Sequence, residues 1–514
     1  MSSPLEYTPV DAIPSIHATL RAGFASGKLK SIPARRKQLL ALAYLVQDNA
    51  QAFEDSLHKD LGRPALETRL VDIGASIHEA LYAYNNVSTW AKPEKAPFSL
   101  NWGATSPVIR KEAKGVVCII VPFNVPLWCL ISPLAGAIAA GNAALLKLPE
   151  QTPATSALLA KLVPRYLDPE LYAVVNGAVE VNKVILALRW DHIFYTGSGR
   201  VGKIVAQAAA AHLTPVSLEL GGKNPAIVDP KCDVRVAARR ILWGRFTNAG
   251  QICTAIDYVL VPREFQDKLV DALLLEYAKA YSQDANARTS IGRLVSNASF
   301  ARIKALLERT RGLVVAGGLE HIDEADKWIA PTVVRDVQLD DSLMEDEIFG
   351  PVLAIVPVDD VDAAIAYVNS RDHPLALYVF SQDKKFKAKV FDNTQSGGAF
   401  ANESILHAAV DGLPFGGVGG SGSGYHRGKF GFDTFTHLRA SYDAPNWMDY
   451  ILGVRFAPYT TKNMNFLARL TAERLPARGS DGSEGSRKWV LFALATIAAA
   501  TAVSSGKLRG LIGA

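Results

Sequence analysis

The sequence predicts an α/β protein of two domains, each built on a parallel sheet, with a membrane anchor at the C-terminus. Three features carry this expectation. From Gly115 onward, short β-branched or apolar runs alternate with helix-length segments, the pattern of parallel strands joined by crossover helices. The alternation comes in two series that meet between Glu219 and Asn224. The chain then closes on 489–503, an uncharged and mostly apolar run behind a polar Gly/Ser-rich stretch.

Ahead of the first series, residues 32–57 place Leu39, Leu42, Ala43, Val46, Ala50, Phe53 and Leu57 at helical spacing, and 67–90 is similarly amphipathic. Both read as helices packed on the surface of the fold. Pro93, Pro97 and Pro107 interrupt regular structure and mark an extended connector over 93–114. The first series then runs through strands 116–121, 144–148, 171–175, 192–195 and 216–220, with helices 127–140, 155–165, 181–188 and 201–211 between them. The second holds a helix at 234–244, a strand at 258–261, helices at 266–282 and 299–309, and an apolar strand at 353–356. Ligands of such sheets sit at the carboxyl ends of the strands.

Domains are therefore expected at 1–220 and 221–412, followed by a glycine-rich loop and closing segment at 413–460. A tether at 461–486, polar over 478–486, leads to the anchor at 487–506. Even with Ser504-Ser505-Gly506 the uncharged stretch falls short of the ~20 residues of a spanning helix, so an Ala-rich buried or amphipathic helix is the alternative. Basic residues on both flanks, Arg487-Lys488 and Lys507 with Arg509, leave its orientation open.

Composition excludes several classes. The 55 basic and 50 acidic side chains of the 514 residues give a net charge of +5, too small and scattered for a nucleic-acid partner. Cys118, Cys129, Cys232 and Cys253 show no CxxC spacing and no paired histidines, so neither a metal site nor a disulfide framework is expected. The N-terminal segment, with Pro4, Asp11 and Pro14, lacks a basic start followed by an apolar run, hence no secretory signal is expected. A reducing compartment suits a free, reactive thiol.

The chemistry concentrates between Glu219 and Cys253. Both lie beside glycines, in Leu218-Glu219-Leu220-Gly221-Gly222-Lys223 and Gly250-Gln251-Ile252-Cys253, where backbone can approach a ligand closely. A thiolate attacks carbonyl carbon, and a carboxylate in a desolvated pocket can activate the water that releases the acyl group. Taken alone, Cys253 would read more simply as a buried cysteine and Asn124 as a turn residue. A glutamate within the apolar run 216–220 is costly to bury without a role.

These two segments resemble the signatures of the aldehyde dehydrogenase superfamily. Residues 212–216 and 241–246 are similar to its class 3 branch, which includes fatty aldehyde dehydrogenases and the fungal enzymes that oxidise apocarotenoid aldehydes in carotenoid acid synthesis. The resemblance is dense from about Gly115 to His437 and thinner before Lys95. It implies a Rossmann-type cofactor domain, an α/β catalytic domain and a closing segment used in oligomerisation, with a homodimer expected.

Residue by residue, the resemblance assigns Cys253 as nucleophile and Glu219 as the base on water. Asn124, in Pro122-Phe123-Asn124-Val125-Pro126, becomes the oxyanion donor together with the Cys253 N–H. Lys147 and Glu150 become adenosine-ribose contacts. Gly197, Ser198 and Gly202, in Gly197-Ser198-Gly199-Arg200-Val201-Gly202, meet the cofactor at a helix N-terminus. Glu347 and Phe349 meet the nicotinamide ribose and ring. Glu150 would repel a 2′-phosphate and favours NAD, whereas Arg200, a departure from the family pattern, would admit NADP. Asn224, Ile256 and the loop 397–402 also depart from the pattern, and His426 receives no acid or base role. The implied substrate is a hydrophobic aldehyde, fatty or apocarotenoid, met at a membrane by a catalytic domain facing the cytosol. A non-redox acyl transferase or thioesterase, and an inactive membrane-tethered scaffold, are the alternatives; neither explains the cofactor residues or the retained Cys253 and Glu219.

Overall fold

The computed structural model describes residues 5–99, 102–281, 288–473, 475 and 478. The chain divides into two compact units, Met1–Ala96 with Val108–Ser441, and Pro97–Pro107 with Tyr442–Ala514. The first contains both large sheets.

The sheet of the first series is six-stranded. Strands Val116–Ile120, Ala143–Lys147, Tyr172–Val175, His192–Gly197 and Val216–Leu220 are all parallel, and Gly422–Ser423 adds antiparallel to the last. In space the five parallel strands run fifth, fourth, first, second, third. Strand order therefore reverses between Val116–Ile120 and His192–Gly197, which opens a crevice at their carboxyl ends. Four of the five residues of Val116–Ile120 and all five of Ala143–Lys147 are buried, as strands covered on both faces require. Helix Pro126–Ala140 follows the first strand. Pro126 opens it where no N–H is needed, all 15 of its residues are buried, and it stops at Gly141 with φ 93°.

The second series forms a seven-stranded sheet in the order Leu313–Ala316, Thr332–Arg335, Val352–Val358, Tyr258–Pro262, Pro225–Val228, Ala376–Phe380, Gly398–Ala401. Only Leu313–Ala316 runs antiparallel to its neighbour. Five of these strands went unread in the sequence; four of them are only four residues long, too short for a period to appear.

Three local expectations change. The helical stretch 32–57 is two helices, Ile32–Gln47 and Ala50–Leu61, broken at Asn49 (φ −116°, ψ 19°). The connector 93–114 is partly sheet: Glu94–Lys95 and Val108–Ala113 pair antiparallel, and Thr436–Ser441 joins the other edge of Val108–Ala113. In the second unit, the tether expected from 461 begins instead as a helix, Thr461–Leu470, capped by the Thr460 hydroxyl. Among the described residues no helix is long and apolar enough to cross a membrane. The run 487–506 lies outside the described residues.

Candidate active site

The loop bearing Cys253 follows helix Val234–Phe246, whose first turn is capped by Asp233. Asn248 and Ala249 then take left-handed backbone, φ 55° and 54°, and Gly250 follows at φ 71°. A side chain at Gly250 would collide with the Gly350 carbonyl, so the loop is pressed against the segment Glu347-Ile348-Phe349-Gly350. Beyond it Cys253 is half-buried, with a free thiol. Its carbonyl accepts from Asn224 Nδ2 at 2.8 Å; the same amide donates to Ala255 O at 3.0 Å and accepts from Ala376 N at 2.9 Å. Tyr378 Oη donates to the Thr254 carbonyl at 2.7 Å. Asn224, noted in the sequence only as a departure, thus ties the cysteine loop to the central strands.

Glu219 sits on strand Val216–Leu220, between Thr196 and Gly422 of the flanking strands. It is 2% exposed, and neither carboxylate oxygen has a hydrogen-bond partner among the described residues. Burial raises its pKa well above the ordinary glutamate value. The Glu347 carboxylate fills the space above Gly221, where any side chain would strike it, and burial together with nearby Asp257 lifts it to about 8. Burial, then Glu347, then Glu219 push the Cys253 thiol up to about 12. A thiol and two carboxylates therefore share one poorly hydrated space.

Asn124 is buried just past the first strand, and its carbonyl accepts from Asn248 Nδ2 at 2.9 Å and from the Arg63 guanidinium. Arg63 is buried as well, ion-paired to Asp72, whose other oxygen accepts from Trp128 N at 2.9 Å. Sequence reasoning missed Arg63, Glu67, Asp72 and Asn248. The readable signal was a buried polar series, Thr68, Asp72, Ser76 and Glu79, at helical spacing in a stretch taken as amphipathic.

The Glu347 segment is anchored from beneath. Asp257 pairs with Lys223 at 2.6 Å and with Arg245 at 2.8 Å, and accepts from Ile348 N. Lys223 also donates to the Leu343 and Asp346 carbonyls. Phe349 (φ 44°) meets Phe123 edge-on at 5.9 Å, so the loops after the first strand and before Val352–Val358 come together.

At the crevice, the buried Lys147 Nζ donates to Leu148 O at 2.6 Å and to Glu150 at 3.3 Å. Gly197 ends the fourth strand and Ser198 caps helix Gly199–Ala210, its hydroxyl 3.5 Å from Val201 N. Gly202 is buried in that helix's first turns beneath Leu220, and a side chain at Gly199 would meet nothing. An acid-free helix start facing open space, with a lysine–glutamate pair past the second strand, fits a dinucleotide's pyrophosphate and adenosine ribose. Arg200 is exposed. His426 is buried on Ser132 Oγ at 2.8 Å, and burial lowers it to about 3, so it stays neutral.

The model of the aldehyde dehydrogenase family matches residues 9–441. Aldehyde dehydrogenase family 3 member B1 of Rattus norvegicus is 43% identical over 448 residues, 87% of this chain and 95% of that protein. The Beta-apo-4'-carotenal oxygenase of Neurospora crassa is 39% identical over 496 residues, 96% and 92% of the two chains. Among solved structures, substrate-bound Staphylococcus aureus AldH superposes with a TM-score of 0.85 at 36% identity, over 89% of this chain and 99% of that one. The thiol, the carboxylates and the crevice thus lie in a fold shared along nearly the whole chain: the protein belongs to the aldehyde dehydrogenase family, as an NAD(P)-dependent enzyme of its class 3 branch.

Proposed function

We propose that the enzyme oxidises a long-chain hydrophobic aldehyde to its carboxylic acid through a covalent Cys253 intermediate. The observation that carries this reading is Glu219, a buried, unpartnered carboxylate within electrostatic reach of a half-buried thiol. The Cys253 thiol passes its proton to solvent water, the thiolate sulfur bonds to the aldehyde carbon, and the carbonyl π pair moves to oxygen, where Asn124 Nδ2 and the Cys253 N–H donate to it. NAD(P), when bound, would supply the hydride acceptor for that carbon, and Cys253 would then hold the acyl group as a thioester. Glu219 then accepts a proton from the water that adds to the thioester carbonyl. The carbonyl re-forms as the C–S bond breaks with its pair returning to sulfur, the acid leaves, and Glu219 gives its proton to solvent water. In this reading Lys147, Glu150, Gly197, Ser198, Gly202, Glu347 and Phe349 hold the cofactor, with NAD preferred.

Hydrophobic substrates are supported by the aromatic side chains linked to the Cys253 loop. Tyr378, bonded to Thr254, lies 6.0 Å from Phe400; Phe400 stacks on His407 at 3.7 Å, and Phe415 meets Trp128 at 5.3 Å. The name of the Neurospora relative adds an apocarotenal as a candidate. The apolar run 489–503 supports attachment to a membrane, the reactive thiol supports a catalytic unit on the reducing, cytosolic side, and a homodimer is the proposed assembly.

The test is NAD(P)H formation by detergent-solubilised full-length protein given a fatty, an apocarotenoid and a short water-soluble aldehyde. A kcat/KM for either long substrate well above the short one is expected, and Cys253→Ala should lower it at least ~10⁴-fold. Preference for the short aldehyde would overturn the substrate class. Turnover by Cys253→Ala would overturn the mechanism.

A further inference from the structure

Asn248 has no part in the chemistry above, yet its side chain bonds both of the loops that do. It is 1% exposed and lies shortly before Cys253 in the same loop. Its backbone is left-handed, which asparagine tolerates, but so is that of Ala249, for which it costs free energy and persists only where the surroundings over-determine it. Here they do. The Asn248 N–H donates to Glu67 Oε2 at 2.9 Å, and its Oδ1 accepts from Arg63 Nε at 2.9 Å. Its Nδ2 donates one hydrogen to Asn124 O at 2.9 Å and the other to Gln251 O at 3.1 Å.

One amide therefore grips the main chain of Asn124 and the main chain of Gln251, just ahead of Cys253. Arg63 fixes which way the amide faces: it donates to Oδ1 and to the same Asn124 carbonyl, so Nδ2 is left toward the two carbonyls. We propose that Asn248 is a positioning residue that sets the distance between the Asn124 amide and the Cys253 thiol. This rests on the reading of Asn124 as oxyanion donor and Cys253 as nucleophile. An oxyanion donor works only at hydrogen-bond distance from the place where the oxygen's charge develops, and a misplacement of about 1 Å costs on the order of 100-fold in rate. Only asparagine meets the whole demand at this size, because it offers two donors and one acceptor while occupying left-handed backbone. Aspartate has the same shape but would set carboxylate oxygen against two carbonyls.

Asn248→Asp and Asn248→Gly in the full-length enzyme separate the amide from the backbone, since glycine adopts left-handed φ freely and carries no amide. Both variants are expected to lose about 100-fold in kcat, with the first-turnover formation of NADH slowed as much as the steady state. The NAD dissociation constant, measured by fluorescence titration, should move less than about twofold, because none of Asn248's hydrogen-bond partners is a residue assigned to the cofactor. Wild-type kcat in Asn248→Gly would mean that only backbone shape matters and would overturn the proposal. So would an equal loss of NAD affinity and activity, the mark of a general structural role. Cys253→Ala run in parallel keeps the two readings apart. If it still oxidises aldehyde, the nucleophile assignment fails; if it is inactive while Asn248→Gly is unimpaired, the Asn248 assignment alone fails.

Discussion

The Cys253 loop and the Ser198 turn both serve the site, and they are held by opposite means. The cysteine loop accepts hydrogen bonds from Arg63, Asn224 and Tyr378 and donates one to Glu67, partners drawn from three separate parts of the chain. The Ser198 hydroxyl caps its own helix at Val201, and Lys147 reaches its neighbours Leu148 and Glu150. Reacting atoms need placement to fractions of an ångström, which calls for buried contacts from several directions. A cofactor that spreads its binding over many weak contacts can rely on local turns.

Glu219→Gln should break the chemical side of this contrast most strongly. We expect kcat to fall about 10²–10⁴-fold with the first-turnover burst of NAD(P)H retained, because only thioester hydrolysis needs the base. A lost burst would place Glu219 before hydride transfer. The same substitution tests the raised pKa. A carboxyl whose folded pKa is raised stabilises the fold fully below its unfolded value, near 4.5, and that contribution is lost as pH rises through the folded value. The Tm of wild type relative to Glu219→Gln should therefore decline from pH 4.5 upward; a flat difference contradicts the shift.

Alkylation of Cys253 by iodoacetamide in the cofactor-free enzyme should rise about tenfold per pH unit from about pH 7 to 10, since the thiol is held near 12. A plateau near pH 8 would show that the carboxylates do not restrain it. Asn224→Ala, which removes three buried hydrogen bonds, should cost about 2–4 kcal/mol in chemical denaturation. A loss below ~0.5 kcal/mol would mean that the loop is held without it. On the cofactor side the effects should be smallest: Glu150→Gln raises the KM for NAD about 3–10-fold and lowers that for NADP, and Ser198→Ala changes stability by under ~0.5 kcal/mol, its cap being long. A larger Ser198 effect would erase the contrast between the two regions.

Legibility followed the range of the interactions. Val116–Ile120 and Val216–Leu220 could be read almost to their observed ends, because a buried strand is an apolar run bounded by turns. The three-stranded sheet could not: Val108–Ala113 pairs with Thr436–Ser441, which arrives only after both large sheets are complete, and the nearby prolines spoke only of a break. Cys253 and Glu219 stood out beside their glycines. Arg63 and Asp72 did not, since a charge beside or within an amphipathic stretch looks solvated until the fold places Trp128 and Asn248 over it.

The sequence by itself determined the order of strands and helices in the first series, the presence of a thiol and a carboxylate in successive glycine-flanked segments, and the branch of the family to which the chain belongs. Only the tertiary structure decided their chemical state. Glu219, Glu347 and Cys253 are all shifted upward chiefly because atoms from distant segments exclude water around them. The left-handed turn before Cys253 persists because four side chains from elsewhere in the chain hold it and the loop it begins. Desolvation and hydrogen-bond geometry depend on every neighbour in space, and the neighbours of this site are far apart in the chain.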